Sequence, residues 1–303
     1  MSNLKNKLNS NWITGFVDAE GCFHIRVTKD STFKTGWTVK PYFVIKLHKR
    51  DKELLEKVKL FFNDIGKIRI KNNSVYYEIY IKDQFLNIIL PHFEKYPLIT
   101  EKQNDFIIFK KILSIINKKE HNTEEGLLNI VNLKTSMNKG ISLQLKECFS
   151  KSINTKRDKI ILPENINYDW FAGFFTGEGC FFIDIFKSKM TKLGYCIRLR
   201  ITIGQHSRDE LLVNKFVSIF QGGFIYKSKN YISYSVSKFE DIYDKLIPFF
   251  NQYKIIGVKL LDFQDFCKAA ELINKKAHLT LDGFNEIKEI KSRMNKARYI
   301  NNK

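Results

Sequence analysis

Two glutamates, Glu20 and Glu178, each close an apolar stretch and are each followed by glycine. The stretches read WITGFVDAEGCF from Trp12 and WFAGFFTGEGCF from Trp170. If each stretch is a helix, the glycine takes the position after the last turn, so the carboxylate lies at the helix C-terminus. That end carries partial negative charge and unpaired carbonyl oxygens, so an acid there is unfavourable unless a cation is bound.

The cation that such helix ends favour is a hard divalent ion. Two of these ends brought together offer the carboxylates of Glu20 and Glu178 and the backbone carbonyls of Ala19 and Gly177. Oxygen ligands of this kind suit Mg²⁺. We therefore predict a Mg²⁺ site at these residues, formed where the two apolar helices pack against each other.

The two stretches belong to a repeat that runs through the chain. Such a repeat decides the architecture. It predicts two copies of one unit, residues 1–149 and 166–303. The segment 150–165 between them is polar and basic and is predicted to be a linker. The other matched segments are HKRD from His48 with HSRD from His206, Lys102 to Phe106 with Lys259 to Phe263, His121 to Gly126 with His278 to Gly283, and Met137 to Lys139 with Met294 to Lys296.

The hydrophobic period predicts the elements of each copy. In the first copy, helical spacing gives way after Gly21 to strict alternation, with Phe23 and Ile25 on one side of a strand and His24 and Arg26 on the other. The order is αββαββα with an extra helix, an α+β unit with a four-stranded antiparallel sheet. We expect helices over 12–19, 51–63, 84–93, 101–117 and 124–137, and strands over 23–28, 37–47, 67–71 and 75–81.

The composition indicates a polyanionic partner. The chain is 44% hydrophobic and 14% aromatic, which is enough to bury a core. Its net charge of +19 favours nucleic acid as the partner over an anionic membrane surface. A basic protein with no such partner is the alternative. No apolar run approaches the ~20 residues of a membrane span. Five cysteines without a Cys-x-x-Cys pair argue against a disulfide scaffold and a structural zinc site, and favour a reducing compartment inside the cell.

The side of each sheet that points away from the helices is the candidate surface for base contacts. A solvated sheet face is the alternative, and any one residue could contact phosphate instead. In the first copy the candidates are His24, Arg26, Thr28, Lys40, Tyr42, Lys46, Lys67, Arg69, Lys71, Tyr76, Glu78 and Tyr80. In the second they are Phe182, Asp184, Arg198, Arg200, Thr202, Tyr226, Lys227, Ser233, Ser235 and Ser237.

The segments ITGFVDAEG and FAGFFTGEG resemble the two motifs of the LAGLIDADG homing endonucleases in their single-chain, two-repeat form. The resemblance covers nearly the whole chain, including HFEKYPLIT from His92, and is closest to the branch encoded in fungal mitochondrial introns. It implies a monomer whose motif helices form a pseudo-twofold interface, with two curved sheets as a saddle on double-stranded DNA. It further implies a staggered double-strand break in a long asymmetric target, and a mitochondrial location.

The resemblance also assigns roles at the motif ends. It makes Glu20 and Glu178 the metal-binding acids, assisted by the preceding carbonyls. Mg²⁺ is the expected ion, with Mn²⁺ substituting and Ca²⁺ binding without supporting cleavage. Lys102 and Lys259 match the pocket lysines of the family, which would offset charge in the transition state; phosphate binding alone is the alternative.

Two positions depart from symmetry. Gln205 matches a water-positioning glutamine of the family, whereas its counterpart in the first copy is Leu47, so the two half-sites should differ chemically. The sixth motif position is Asp18 in one copy and Thr176 in the other. The family places that position in the helix interface, so the difference need not affect metal binding.

Other functions remain open on the same fold. One is an intron RNA maturase, alone or in addition to cleavage; another is a DNA-binding regulator that has lost cleavage. Retention of both Glu20 and Glu178 favours cleavage. The repeated His48 and His206 are interpreted as structural or phosphate-binding rather than catalytic.

Overall fold

The structure, a computed structural model, describes residues 8–300, with side chains to residue 298. The chain divides into two compact units, of which the second begins at Ile166, where the second repeat was predicted to begin. Residues 150–165, predicted as a linker, belong with the first unit: Arg157 Nη2 lies 2.6 Å from Asp105 Oδ1, and Asn104 Nδ2 donates to the Asp158 carbonyl at 2.9 Å. The outer limits of the predicted repeats, 1–7 and 301–303, lie outside the described residues.

The first unit has the predicted αββαββα order, followed by further helices. Short 3-10 turns precede α2 and α6, and a π-helical segment joins α3 to α4. The elements are α1 (Ser10–Glu20), β1 (Gly21–Lys29), β2 (Trp37–His48), α2 (Lys52–Phe61), β3 (Lys67–Lys71), β4 (Ser74–Ile79), α3 (Lys82–Gln84), α4 (Leu90–Lys95), α5 (Lys102–Asn117), α6 (Glu124–Thr135) and α7 (Leu143–Cys148).

The second unit repeats this order with the same connections. Its elements are α8 (Tyr168–Glu178), β5 (Gly179–Lys187), β6 (Tyr195–Gln205), α9 (Glu210–Phe220), β7 (Phe224–Lys227), β8 (Ile232–Val236), α10 (Ile247–Gln252), α11 (Lys259–Asn274), α12 (Leu281–Ser292) and α13 (Ala297–Ile300). Each unit holds one four-stranded antiparallel sheet, in the order β1-β2-β4-β3 and β5-β6-β8-β7. The predicted α+β class is confirmed.

Phenylalanine rings join each sheet to its helices. Phe23 on β1 is fully buried, and its ring centroid lies 5.0 to 5.5 Å from those of Phe43, Phe93, Phe106 and Phe109. Burying a ring of this size stabilises the fold by roughly 1.5 to 3 kcal/mol. One face of the sheet is therefore committed to the core, and alternate residues must face the other way.

The π-helical segments explain why the predicted helix over 84–93 is irregular. Segment Phe85–Ile89 leads into α4, which carries Pro91, and segment Asp241–Leu246 leads into α10, which carries Pro248. Proline has no N–H to donate to the preceding turn, and its ring clashes with the carbonyl four residues earlier. A wider turn before the proline relieves both problems.

The repeated Met-Asn-Lys segments are structural. Asn138 adopts a left-handed conformation (φ 53°), which asparagine tolerates. Its N–H donates to Asp105 Oδ1 at 2.9 Å and its side-chain amide to the Phe23 carbonyl at 2.7 Å. Asn295 makes the same contacts to Asp262 and the Phe181 carbonyl. The segment after α6 or α12 is thereby fastened to the first strand of its sheet.

Among residues 8–300 there is no helix long and apolar enough to cross a membrane.

Candidate metal and nucleic-acid site

Helix α1 begins and ends at defined polar contacts. The Asn9 side chain accepts hydrogen bonds from the Asn11 and Trp12 N–H groups. At the other end the Gly21 N–H donates to the Val17 carbonyl. Gly21 follows the last helical residue, as predicted, and its backbone is extended (φ −74°, ψ 151°) rather than left-handed. The glycine is needed for space, since a Cβ there would lie 2.6 Å from Val17 Cγ1 and 2.9 Å from the Val17 carbonyl oxygen.

The motif glutamates are the last helical residues of α1 and α8, as predicted. Glu20 and Glu178 are both half-buried, and a strand of the sheet starts at the next residue. The second helix is built like the first. Asn167 caps its start, and a Cβ on Gly179 would lie 2.4 Å from the Phe175 ring. Each carboxylate is therefore fixed by a rigid helix at the point where the chain enters the sheet.

A lysine ammonium lies at the C-terminus of each motif helix. Lys102, the first residue of α5, donates from Nζ to the Val17 carbonyl at 2.8 Å and to the Ala19 carbonyl at 3.2 Å. Lys259, the first residue of α11, donates to the carbonyl of Gly177 at 2.8 Å and to those of Phe175 and Gly179. A cation at a helix C-terminus interacts favourably with the helix dipole.

These lysines change the reason for expecting a metal. The protein itself supplies a cation at the end of each motif helix, whereas the sequence alone suggested that a bound ion was needed there. The carbonyls of Ala19 and Gly177, predicted as metal ligands, accept hydrogen bonds from Lys102 and Lys259. A metal ligated by either carbonyl would have to share it with the ammonium.

Asp18 ties α1 to the loop that precedes Lys102. The Asp18 carboxylate is buried and accepts from the Ile99 N–H at 2.9 Å, from the Thr100 N–H at 3.3 Å and from the Thr100 hydroxyl at 2.6 Å. The Thr100 hydroxyl oxygen in turn accepts from the Lys102 N–H at 3.2 Å. Asp18 is therefore connected, through one threonine, to the residue that caps its own helix.

Lys259 of the second unit lacks the aspartate–threonine connection that lies behind Lys102. Thr176, at the position of Asp18, donates its hydroxyl to the Ala172 carbonyl of its own helix at 2.8 Å. Gly257, at the position of Thr100, has a φ of +80°, a conformation that disfavours a side chain. The two motif ends are thus alike in Glu and Lys but differ in the support behind the lysine.

The strand register places the first-unit candidates on one face, as the alternation predicted. Cations and rings alternate on this face: the Arg26 guanidinium lies 4.9 Å from the Tyr42 ring centroid, and Lys67 Nζ lies 5.7 Å from that of Tyr80. A cation at this distance from a ring face is attracted to it electrostatically. The cross-strand pairs on this face are His24–Tyr42, Arg26–Lys40, Thr28–Thr38, Lys46–Tyr76, Arg69–Tyr76, Lys67–Glu78 and Lys71–Ser74.

The second-unit candidates share a face with one exception. Lys227 pairs with Ile232 and lies on the same side of the sheet as Tyr234, which is buried in the core. Its ammonium contacts Glu210 of α9 at 2.5 Å. The prediction that groups Lys227 with Tyr226 is wrong, because adjacent residues of a strand point to opposite sides. The pairs on the shared face are Phe182–Arg200, Asp184–Arg198, Thr202–Ser235 and Tyr226–Ser233, and Ser237 follows β8.

Gln205 ends β6 on the helix side by the same alternation. It pairs with Ile232, and its side-chain oxygen accepts from the His206 N–H at 3.3 Å. Its counterpart Leu47 pairs with the buried Val75. The water-positioning role of Gln205 stays a prediction.

Other repeated polar residues are accounted for by structure. His48 Nδ1 accepts from the Arg50 N–H and His206 Nδ1 from the Arg208 N–H, so each histidine caps the turn that leads to the next helix. Burial raises the pKa of the Cys22 thiol, which argues against a nucleophilic role.

Three aromatic side chains on the exposed face of the second-unit sheet were not predicted from the sequence. Phe186 follows Asp184 by two residues, and Phe224 pairs with Ser235, so the alternation used for their neighbours would have found both. Tyr231 could not be found in that way. It precedes β8, and its hydroxyl fills the place that a Cβ on Gly204 would occupy, at 2.5 Å.

The fold and the repeated Glu–Lys ends define a class, the two-repeat LAGLIDADG proteins. The family model described as LAGLIDADG endonuclease matches residues 13–113 and 171–270, and the chain belongs to this family. It is 42% identical to "Probable intron-encoded endonuclease 2" of Neurospora crassa, over 94% of this chain and 65% of that protein. The chain thus spans just under two thirds of the length of this relative.

Solved structures resemble it over their whole length. The chain matches a crystal structure of the I-SmaMI LAGLIDADG homing endonuclease bound to cleaved DNA with a TM-score of 0.94 and 44% identity, covering 96% of this chain and 98% of that one. A second I-SmaMI structure, bound to uncleaved DNA target in the presence of calcium ions, matches with a TM-score of 0.93 and 44% identity, covering 96% of this chain and 100% of that one.

Proposed function

We propose that the chain is a site-specific DNA endonuclease that hydrolyses one phosphodiester bond in each strand of a long, asymmetric duplex target, leaving a staggered break. The observation that carries this proposal is the repeated pair at the motif ends, a half-buried glutamate with a lysine ammonium on the adjacent carbonyls. The similarity to DNA-bound endonucleases of the same family supports it.

The residues present fit a divalent ion that is shared with substrate. Among residues 8–300, no three or more His, Cys, Asp or Glu side chains gather in a group that could hold a metal. Mg²⁺ does not need such a cage, because it keeps several waters and binds through one or two carboxylates together with substrate phosphates. Glu20 and Glu178 would supply those carboxylates. Mn²⁺ should replace Mg²⁺, and Ca²⁺ should bind without supporting cleavage.

A bound ion would polarise the scissile phosphate and lower the pKa of an attacking water. In this scheme Glu20 and Glu178 act as ligands and not as general bases. Lys102 and Lys259 place a positive charge near the phosphate, where charge develops in the transition state. Gln205 would orient water in the second unit alone, which makes the two half-sites chemically unequal.

The exposed sheet faces are the proposed DNA-binding surfaces. Their lysine and arginine side chains suit phosphates and base edges in the major groove. An intron RNA maturase would use the same fold, but two glutamates held at equivalent helix ends favour cleavage. A mitochondrial location and action as a monomer are proposed from the family resemblance.

A cleavage-selected library tests the proposal. The purified chain is incubated with randomised duplex DNA in Mg²⁺, in Ca²⁺ and in EDTA, and newly formed ends are sequenced. We expect one long sequence to be cut in Mg²⁺, with staggered ends, and no cutting in Ca²⁺ or EDTA. Cutting that persists in EDTA, or that shows no sequence preference in Mg²⁺, would contradict the proposal.

A further inference from the structure

The two sheet faces differ in chemistry at equivalent positions. The outer strand β3 carries Lys67 and Arg69 on its exposed face, paired with Glu78 and Tyr76. The equivalent strand β7 carries Phe224 and Tyr226 there, paired with Ser235 and Ser233. Two cations have thus been replaced by two rings, and their larger neighbours by serines.

The same change continues across the sheet. Lys46 of β2, paired with Tyr76, corresponds to Gly204 of β6, paired with Ser233. Arg26 of β1, opposite Lys40, corresponds to Asp184 of β5, opposite Arg198. The first face is rich in cations over its whole width, whereas the second has lost most of them.

The arginines that the second face retains are engaged within the protein. Asp184 accepts from Arg198 at 3.3 Å and from Arg200 at 3.0 and 3.2 Å. The Arg200 guanidinium also lies 4.3 Å from the Phe182 ring centroid and donates to the Thr202 hydroxyl. On the first face Arg69 is likewise paired with Glu78, at 2.7 and 3.0 Å. Lys40 and Lys46 are exposed, however, and their counterparts in the second unit are Arg198, which contacts Asp184, and Gly204.

Exposed rings lie at both edges of the second sheet: Phe224 and Tyr226 of β7 stand where the first unit has cations, and Phe186 of β5 stands where it has Thr28. Phe186 on β5 is 43% exposed, and Phe224 and Tyr226 on β7 are 52% and 58% exposed. Ser233 and Ser235, each 5% exposed, lie on β8 next to β7, so the rings of Phe224 and Tyr226 stand beside small, buried hydroxyls. Neighbouring exposed apolar side chains of this kind mark a contact surface.

We propose that the two units read different base chemistry: the first unit reads the acceptor atoms of guanine, and the second reads the methyl groups of thymine. Lysine and arginine donate to guanine O6 and N7, whereas apolar groups contact the thymine C5-methyl, the one apolar group that the major groove displays. This inference rests on the proposed function, because it concerns the sequence of the target. It predicts a target with guanine-reading contacts in one half and thymine-reading contacts in the other.

The test combines target selection with a reciprocal exchange. Targets are selected by cleavage with the wild-type chain, with a variant carrying Phe224→Lys and Tyr226→Arg, and with one carrying Lys67→Phe and Arg69→Tyr. We expect the first variant to change thymine to guanine preferences in one half only, which assigns that half to the second unit. The reciprocal variant should change the other half in the opposite direction. Leu211→Lys, at an exposed position on α9, controls for added charge.

Deoxyuridine then probes the methyl groups directly. The wild-type target is synthesised with uracil in place of thymine, first in one half and then in the other, and binding is measured in Ca²⁺. Each contacted methyl should contribute about fourfold in affinity, from its transfer free energy. We expect a loss only in the second-unit half, and no loss for the Phe224→Lys, Tyr226→Arg variant on its own selected target. An equal effect in both halves, or none, overturns the inference while cleavage stands; failure to select any target overturns the proposed function and this inference together.

Discussion

At the scale of single residues, Asp18 gives the first motif a contact to its lysine loop that Thr176 does not give the second. Asp18 was expected to matter only for helix packing, yet its carboxylate holds Ile99 and Thr100, and Thr100 in turn contacts the Lys102 backbone. These partners lie more than 80 residues away in the chain, so no local pattern could have revealed them. We infer that Asp18 positions Lys102.

Replacing Asp18 tests this role. Asp18→Asn removes the charge and one acceptor oxygen, which should cost roughly 1 to 3 kcal/mol of stability because the buried amides lose a partner. It should also slow cutting of one strand, up to about the 100-fold that a ~1 Å misplacement can produce. Rates for each strand on a doubly labelled target measure the effect.

Thr176→Val is the matched control at the same motif position, because the Thr176 hydroxyl bonds only within its own helix among the contacts described above. It should leave both strand rates near wild type. Equal slowing of both strands by Asp18→Asn, or none, would argue against a role that is specific to Lys102.

At the scale of elements, the first unit contains a polar contact that the second lacks. His92 of α4 lies 3.2 Å from the Thr14 hydroxyl of α1, among the rings of Phe61, Phe62 and Phe93. Burial lowers the pKa of His92 from 6.5 to about 4, so the ring is neutral at pH 7. The equivalent residues of the second unit are Phe249 and Ala172.

This pair predicts acid sensitivity. Because the folded pKa is depressed, the unfolded chain binds an extra proton between pH 6.5 and about 4, and stability falls as the pH falls through that range. The loss is at most about 3 kcal/mol. The double variant Thr14→Ala with His92→Phe reproduces the second unit and should lose this part of the pH dependence in urea unfolding at pH 7 and pH 5. A pH dependence equal to that of wild type would contradict the assignment.

Most elements could be predicted because their signal is local. The alternation from Phe23 to Thr28 specifies both a strand and its exposed side, and the observed β1 and its register agree. Three features could not be derived in this way. The reason for Gly21 depends on Val17 in three dimensions, and the capping role of Lys102 depends on a contact 85 residues away. Alternation alone shows that Tyr226 and Lys227 cannot share a face, but which of the two points inward depends on the pairing of a four-residue strand.

At the scale of the whole molecule, the net charge of +19 should dominate the strength of DNA binding. A protein that neutralises several phosphates releases their counterions, so its affinity should fall by about 10³ or more between roughly 50 and 200 mM salt. Lys40→Gln should reduce the slope of log K against log salt by about 1. Titration by fluorescence anisotropy measures these slopes.

Lys59→Gln is the control for charge alone, since Lys59 pairs with Asp64 at 2.8 Å at the end of α2. Its slope should equal that of wild type. A nearly flat wild-type plot would contradict binding through the basic sheet face.

We expect Glu20 and Glu178 to support cleavage without being needed for binding. The most direct measurement compares Glu20→Gln and Glu178→Gln with wild type on one selected target, scoring cleavage in Mg²⁺ and affinity in Ca²⁺. Glu56→Gln, a surface residue of α2 paired with Lys52, is the control. Both motif variants should bind within a few-fold of wild type and make no double-strand break. Full cleavage by either variant would contradict it.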